Sequence, residues 1–479
     1  MSGASQRRRK ASKDHVERTS ASPTTNPYAS KHRDNNDNDN NYTSSKRGRG
    51  DGKQERGGGG REFRRRSMVP AVGFYVLLLA ALVVLTGVSF WSLNRPSSLE
   101  QQRQQPAGAK PSNSSVYERG LVSPRVSYQT VLSEHARYWN NVSHRHFQSS
   151  VLAYVTPWNG KGYDMAKLFR AKFTHVSPVW YQLRGEEGLS LHGRHDVDLQ
   201  WIKDVRREGS PLILPRVVLE GWPLDMLVKR EERTKAIRMI VNEIMEMEFD
   251  GIVLEAWTLW RGHRILEDTK LRKKALEFVK VLGMEFQSMK GAHLYSSGPP
   301  QLIFVIPPPG KPRDPSSFSS SDMSYLSDAV HGFSLMTYDY SSAHYPGPNA
   351  PLPWVRQCLQ LLFSSGAKEG ATKSDNREKM LMGINFYGND YVIPQGGGPI
   401  VGGQFTSLLA QHKPQITWDE ASQEHYLEYM NENPVQKRNR VYYPSLKSLA
   451  ARLKEAETWG VGISIWEIGQ GLDYFFDLL

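Results

Sequence analysis

Eight short apolar, β-branched runs recur through the last 330 or so residues of this chain, most of them separated by helical periodicity. They are V-L-A-Y-V-T-P-W (151–158), F-T-H-V-S-P-V-W (173–180), L-I-L-P-R-V-V-L (212–219) and F-D-G-I-V-L-E-A-W (249–257). The others are L-I-F-V-I-P (302–307), G-F-S-L-M-T-Y-D (332–339), M-L-M-G-I-N-F-Y (380–387) and G-I-S-I-W-E (462–467). Amphipathic stretches at 225–247, 269–289, 354–363 and 445–457 fill several of the intervals. Runs this apolar suit strands covered on both faces. Strands alternating with helices pair in parallel, because the helix returns the chain to the edge where the last strand began. The pattern predicts an α/β fold, a (β/α)8 barrel over residues 149–479. The long interruption at 388–443 is too large for a structureless loop and predicts a small hairpin subdomain after strand seven.

What precedes the barrel is of another kind. Residues 1–67 carry 17 Lys and Arg against 8 Asp and Glu, whereas the other 412 residues carry 44 against 41. The basic excess belongs to the tail, so no nucleic-acid partner is expected for the main domain. With almost no apolar content the tail cannot offset its ordering entropy, and we read it as disordered. Residues 68–91 form an uncharged apolar run that would span about 36 Å as a helix, enough to cross a bilayer. Arg64, Arg65 and Arg66 abut its start, which puts the tail in the cytosol and the barrel across the membrane. The expectation is a single-pass type II anchor, with a cleaved signal peptide as the alternative. The barrel would then face an endomembrane lumen (Golgi, ER or lysosome-vacuole) or the cell surface. Residues 92–148 read as a luminal stem, carrying glycosylation sequons at Asn113 and Asn141. Cys358 is the only cysteine and sits in an apolar-periodic helix, so a buried structural thiol is expected.

Alternate side chains of a strand share a face. In the fourth run, Val253, Glu255 and Trp257 fall on one face and Ile252, Leu254 and Ala256 on the helix-covered other. This stretch resembles strand four of glycoside hydrolase family 18, the chitinases, whose pattern is D-G-x-D-x-D-x-E. Laid over it without a gap, Asp250 and Gly251 match, Val253 takes the second Asp, Glu255 the third, and Trp257 the catalytic Glu. M-T-Y-D-Y at 336–340 resembles the family's M-x-Y-D box on strand six, and Trp466 the Trp that closes strand eight. N-F-Y-G at 385–388 is a looser match to strand seven, and strand three reads L-E-G-W where the family has S-x-G-G. Within the family the chain is most similar to a branch whose fourth strand is likewise short of its acid.

The resemblance implies a mouth at the C-terminal strand ends that binds N-acetylglucosamine-type oligosaccharide. Candidate sugar contacts are Trp257, Tyr338, Asp339, Trp466, Glu255, Met336, Trp180 and Tyr387, with Trp158, Glu220, Trp222, Asn385 and Glu467 at the same ends. In the family a Glu protonates the glycosidic oxygen while the substrate's acetamido carbonyl attacks the anomeric carbon. An indole N–H is far too weak an acid for that step, and losing a general acid forfeits about 100- to 10,000-fold in rate. Glu255 faces inward but about 6.6 Å lower along the strand. Three readings follow: a lectin-like barrel that binds an oligosaccharide or glycoprotein glycan without cutting it; a working glycosidase or transglycosidase using Glu255 or another carboxylate such as Glu220; and a protein-binding scaffold. His192, His195, His331, His344, His412 and His425 show no ligand spacing, so neither metal nor cofactor is expected.

Overall fold

The computed structural model describes residues 110–206, 210–289, 298–310, 314–364, 376–431 and 437–479. All lie in the second of two compact units, 94–479. The tail and the expected anchor at 68–91 fall outside the described residues. Among the described residues no helix is long and apolar enough to cross a membrane.

A curled parallel sheet forms the centre. Its strands in chain order are Val151–Val155, His175–Pro178 continued by Tyr181–Arg184, Leu212–Ile213 continued by Arg216–Glu220, and Gly251–Glu255. Gln301–Ile306, Gly332–Leu335, Met380–Asn385 and Gly462–Trp466 complete the parallel strands among the described residues, and Ser190–His192 adds an antiparallel edge to Tyr181–Arg184. Neighbours in sequence are neighbours in the sheet, and the eighth strand pairs with the first (Ile463 opposite Val151). Strands two and three are each broken in the middle. Pro215 lacks the N–H to continue its ladder, and only its carbonyl pairs, accepting from Val253 N at 3.0 Å. The two halves of strand three therefore pair with different halves of strand two.

Alternation sorts the side chains. Val151, Ala153 and Val155 join the outer core beneath the helices; Leu152 and Tyr154 join the inner cluster with Val179, Leu214, Val253, Ile303, Val305 and Leu381. The frame residues Asp250 and Gly251 are structural. Asp250 Oδ2 accepts from Arg206 Nη2 (2.6 Å) and Ile213 N (2.8 Å), tying the start of strand four to strand three. Gly251 has φ 140°, and a Cβ there would lie 1.9 Å from the Gln301 carbonyl oxygen.

The helices begin where their caps dictate. Asp268 accepts from the N–H groups of Lys270 and Leu271 to start Thr269–Ser288. Ser445 and Ser448 cap each other's backbone N–H to start Leu446–Trp459, which Gly460 ends in the left-handed region. After strand seven the insertion is, among the described residues, a five-stranded antiparallel sheet with one helix, Gly402–His412. It is larger than a hairpin, because Glu424–Asn431 pairs on both sides, with Ile416–Asp419 and Lys437–Tyr442.

Ahead of the sheet, Lys110–Ser112 pairs with Arg137–Trp139, and Val116, Val131 and Phe147 are buried in the main core. Asp477 fastens this segment, accepting from Trp139 N (2.7 Å), Val116 N (3.2 Å) and Arg119 Nη2 (3.2 Å). Asn113 and Asn141 are both exposed. Cys358 is buried, and burial pushes its thiol up to about 12, which leaves it unreactive.

Candidate functional site

The C-terminal ends of the strands converge on a polar ring set on the inner apolar cluster. Glu255 is the last residue of strand four, and its Oε2 accepts from Arg216 Nε and Nη2, each at 2.7 Å. Arg216 follows Pro215 at the restart of strand three, and its guanidinium carbon lies 5.8 Å from the centroid of the Trp466 ring. Trp466, the last residue of strand eight, tilts against Tyr154 at 5.2 Å. Tyr154 Oη donates to Ser334 Oγ (2.9 Å), whose hydroxyl donates to Ser464 Oγ (3.1 Å). Ion pair, indole and hydroxyl file thus form the floor. Both charges are mostly buried, at 14% exposure for the Arg216 side chain and 18% for that of Glu255.

The wall comes from strands six and seven. Met336, like Trp466, packs on the inner cluster. Burial holds the Tyr338 phenol well above its usual range, and the charges of Glu255 and Asp339 push the same way. Tyr338 meets Tyr387 edge-on at 6.3 Å. The buried Tyr387 donates its hydroxyl to Asp339 Oδ1. Asp339 is exposed as a residue, but its carboxyl turns onto that phenol. Burial of the carboxyl raises its pKa, against the opposing hydrogen bond. Asn385 is spent locally, donating to the Tyr387 carbonyl at 2.7 Å.

Several expected contacts lie elsewhere. Strand four stops at Glu255, and Trp257 opens the helix Trp257–Gly262. Its indole is fully buried in the outer core and donates to the Ser316 carbonyl (3.0 Å). Phe318 stands edge-on to it at 5.0 Å, and the Arg272 guanidinium lies over its face at 5.1 Å. Trp257 is therefore not in the mouth, and period-two alternation fails because the residue is no longer in a strand. Trp180 is displaced for a related reason. It sits at the break in strand two, fully buried, donating to Tyr163 Oη (2.7 Å) beside Trp201. Trp222 is buried against Phe278. Glu220 pairs with Arg184 at 3.0 Å, and Trp158 stands 63% exposed at the end of strand one.

Arg216, Tyr154, Ser334 and Ser464 are floor residues that sequence reading passed over. Arg216 was findable: a lone arginine in the apolar run L-I-L-P-R-V-V-L demands a partner, and Glu255 was the inward carboxylate in the next run.

Glu467 faces away from the mouth. It is fully buried; its Oε1 accepts from Asn159 Nδ2 (2.5 Å) and its Oε2 from Gly469 N (2.9 Å). Burial raises it from an ordinary value of 4.5 to about 7. Between these values the folded chain holds a proton that the unfolded chain has released. The stability from this group is complete below the lower value and is lost as pH rises through the upper, up to about 3 kcal/mol. The contribution of Glu467 to the thermal midpoint should therefore fall as pH rises from about 4.5 to about 7, opposite in sign to that of the partly buried His331, which burial lowers to about 4, and Glu467→Gln should remove that falling component of the slope. A scan of midpoint against pH checks this, and an unchanged slope in the variant would contradict it.

Among the described residues, no group of three His, Cys, Asp or Glu side chains could hold a metal ion. The chain resembles, at 19% identity, a chitinase from Chromobacterium violaceum with a TM-score of 0.56, over 69% of this chain and 98% of that one. The spore cortex-lytic enzyme of Bacillus cereus matches at 16% identity and TM-score 0.55, over 69% and 73%. A mutant family 18 chitinase of Cycas revoluta, crystallised with (GlcNAc)4, matches at 13% and 0.55, over 69% and 98%. At these identities the likeness speaks for the fold. The family model for glycosyl hydrolases family 18 matches residues 150–471, two-thirds of the sequence, and the chain belongs to that family.

Proposed function

We propose that the mouth binds an oligosaccharide of the N-acetylglucosamine type and does not hydrolyse it. One observation carries this reading: the inward carboxylate of strand four, Glu255, accepts two bonds from Arg216 on a single oxygen. A carboxylate so engaged is a counter-ion, not a proton donor aimed at a glycosidic oxygen. Trp466 offers a ring face, and Tyr338, Asp339, Tyr387 and Met336 a mixed polar and apolar wall, the composition that sugar sites require. The family membership and the Cycas relative's tetrasaccharide support the choice of ligand. Trp466→Ala should weaken (GlcNAc)4 binding about tenfold, or 1.4 kcal/mol; unchanged affinity would place the ligand elsewhere.

A hydrolytic reading draws on Asp339, a mouth carboxyl that burial biases towards the protonated form. Turnover abolished by Asp339→Asn or Glu255→Gln would replace the lectin-like reading with it. We further place the chain in the chitinase domain-containing protein 1 branch, on the strand-four pattern, and in the membrane as a type II protein anchored by 68–91. Protease protection of the barrel in sealed microsomes, with glycans on Asn113 and Asn141, tests the topology.

A further inference from the structure

We propose that Glu424, a residue of the insertion, is a positioning residue for the mouth, fixing the backbone of Asp339 through Asn349. This rests on the oligosaccharide-binding reading above. Asp339 has φ 59°, a left-handed conformation that residues other than glycine hold only with support. The support is Asn349. Its Oδ1 accepts from Asp339 N at 2.7 Å, and its carbonyl accepts from Tyr340 N at 2.8 Å. Two consecutive N–H groups are thereby held by one side chain and its own backbone.

Asn349 is held in turn. Its N–H donates to Glu424 Oε2 (3.0 Å), and the N–H of Ala350 donates to Oε1 (2.7 Å). Both carboxylate oxygens are thus spent on the two amides that set the position of Asn349. Arg452, from the helix Leu446–Trp459, donates to Oε1 at 2.9 Å and also to the carbonyls of Ala350 and Gln423. Glu424, Asn349 and Arg452 are all buried, so none of these bonds competes with bulk water. The next residue, His425, fixes the strand to its surroundings through Ser445 Oγ (2.7 Å) and the Pro124 carbonyl (3.0 Å). The insertion therefore works from beneath as a jig for the strand-six loop. Without it, Asp339 would relax out of the left-handed region and its carboxyl would leave Tyr387.

A double-mutant cycle on (GlcNAc)4 affinity in the full chain tests this. Glu424→Gln, Asn349→Ala and Asp339→Asn should each weaken binding about tenfold. Either of the first two combined with Asp339→Asn should be no weaker than Asp339→Asn alone, because they act through it. Losses that multiply would overturn the proposal. Asn349→Ala leaves the Glu424–Arg452 pair intact, so it carries the cycle if Glu424→Gln fails to fold. A titration of the ¹³C-labelled Asp339 carboxyl without ligand gives a second readout. It should move back towards the ordinary aspartate range in both variants, and an unmoved titration would equally overturn the positioning role. If no tetrasaccharide binds the unmodified chain yet the titration shifts, the mouth's ligand is misread and the positioning stands.

Discussion

Replacing Trp257 with glutamate, which restores the acid of the family pattern, is expected to destabilise the chain by at least about 3 kcal/mol and to produce no hydrolysis. The indole is fully buried among Trp260, Phe304 and Phe318, and its N–H is satisfied by the Ser316 carbonyl. A glutamate leaves a cavity where the rings met and puts a carboxylate into an apolar cage. Arg272 is nearby but already holds Asp322 at 2.6 Å. The new acid would lie on the outer face of the sheet, cut off from any sugar in the mouth. Urea midpoints and release of reducing ends check both halves. A variant that kept its midpoint and cleaved chito-oligosaccharide would show that position 257 does reach the mouth.

The second large effect concerns the floor. Arg216→Met leaves Glu255 mostly buried without its cation, and Glu255→Gln leaves the guanidinium without its anion. Each should cost about 3 kcal/mol, because breaking one side of a desolvated pair strands the other charge. The double variant should be more stable than either single one, since neither charge is then left alone. Denaturation curves of the three variants decide this. Additive losses would mean that the pair is solvated and contributes little, and that Glu255 is not committed to Arg216.

The course of strand four shows where reading the sequence succeeds and stops. Alternation placed Val253 and Glu255 inward, as found, because both lie within the ladder. It failed two residues later because ladder partners run out: strand three pairs no further than Glu255, and strand five no further than Leu254. Free of neighbours, the chain turns helical, with Trp260 N bonding to the Ala256 carbonyl at 3.1 Å. Where a strand ends is decided by its neighbours' lengths, which no local pattern records. The i, i+3 spacing of Trp257 and Trp260 was the available hint of a helix. Asp339 and Tyr387 were both readable as strand-end residues, though not their bond. The support behind Asp339 was invisible, since Asn349 and Glu424 stand 75 residues apart in sequence. Only the folded insertion brings them together.

Titration calorimetry of (GlcNAc)4 into the purified chain tests the central claim, that sugar is held and not cut. Binding without turnover predicts heat pulses that saturate and return to the baseline, with the tetrasaccharide recovered whole. A heat flow that persists after each injection, with shorter sugars accumulating in the cell, would contradict it.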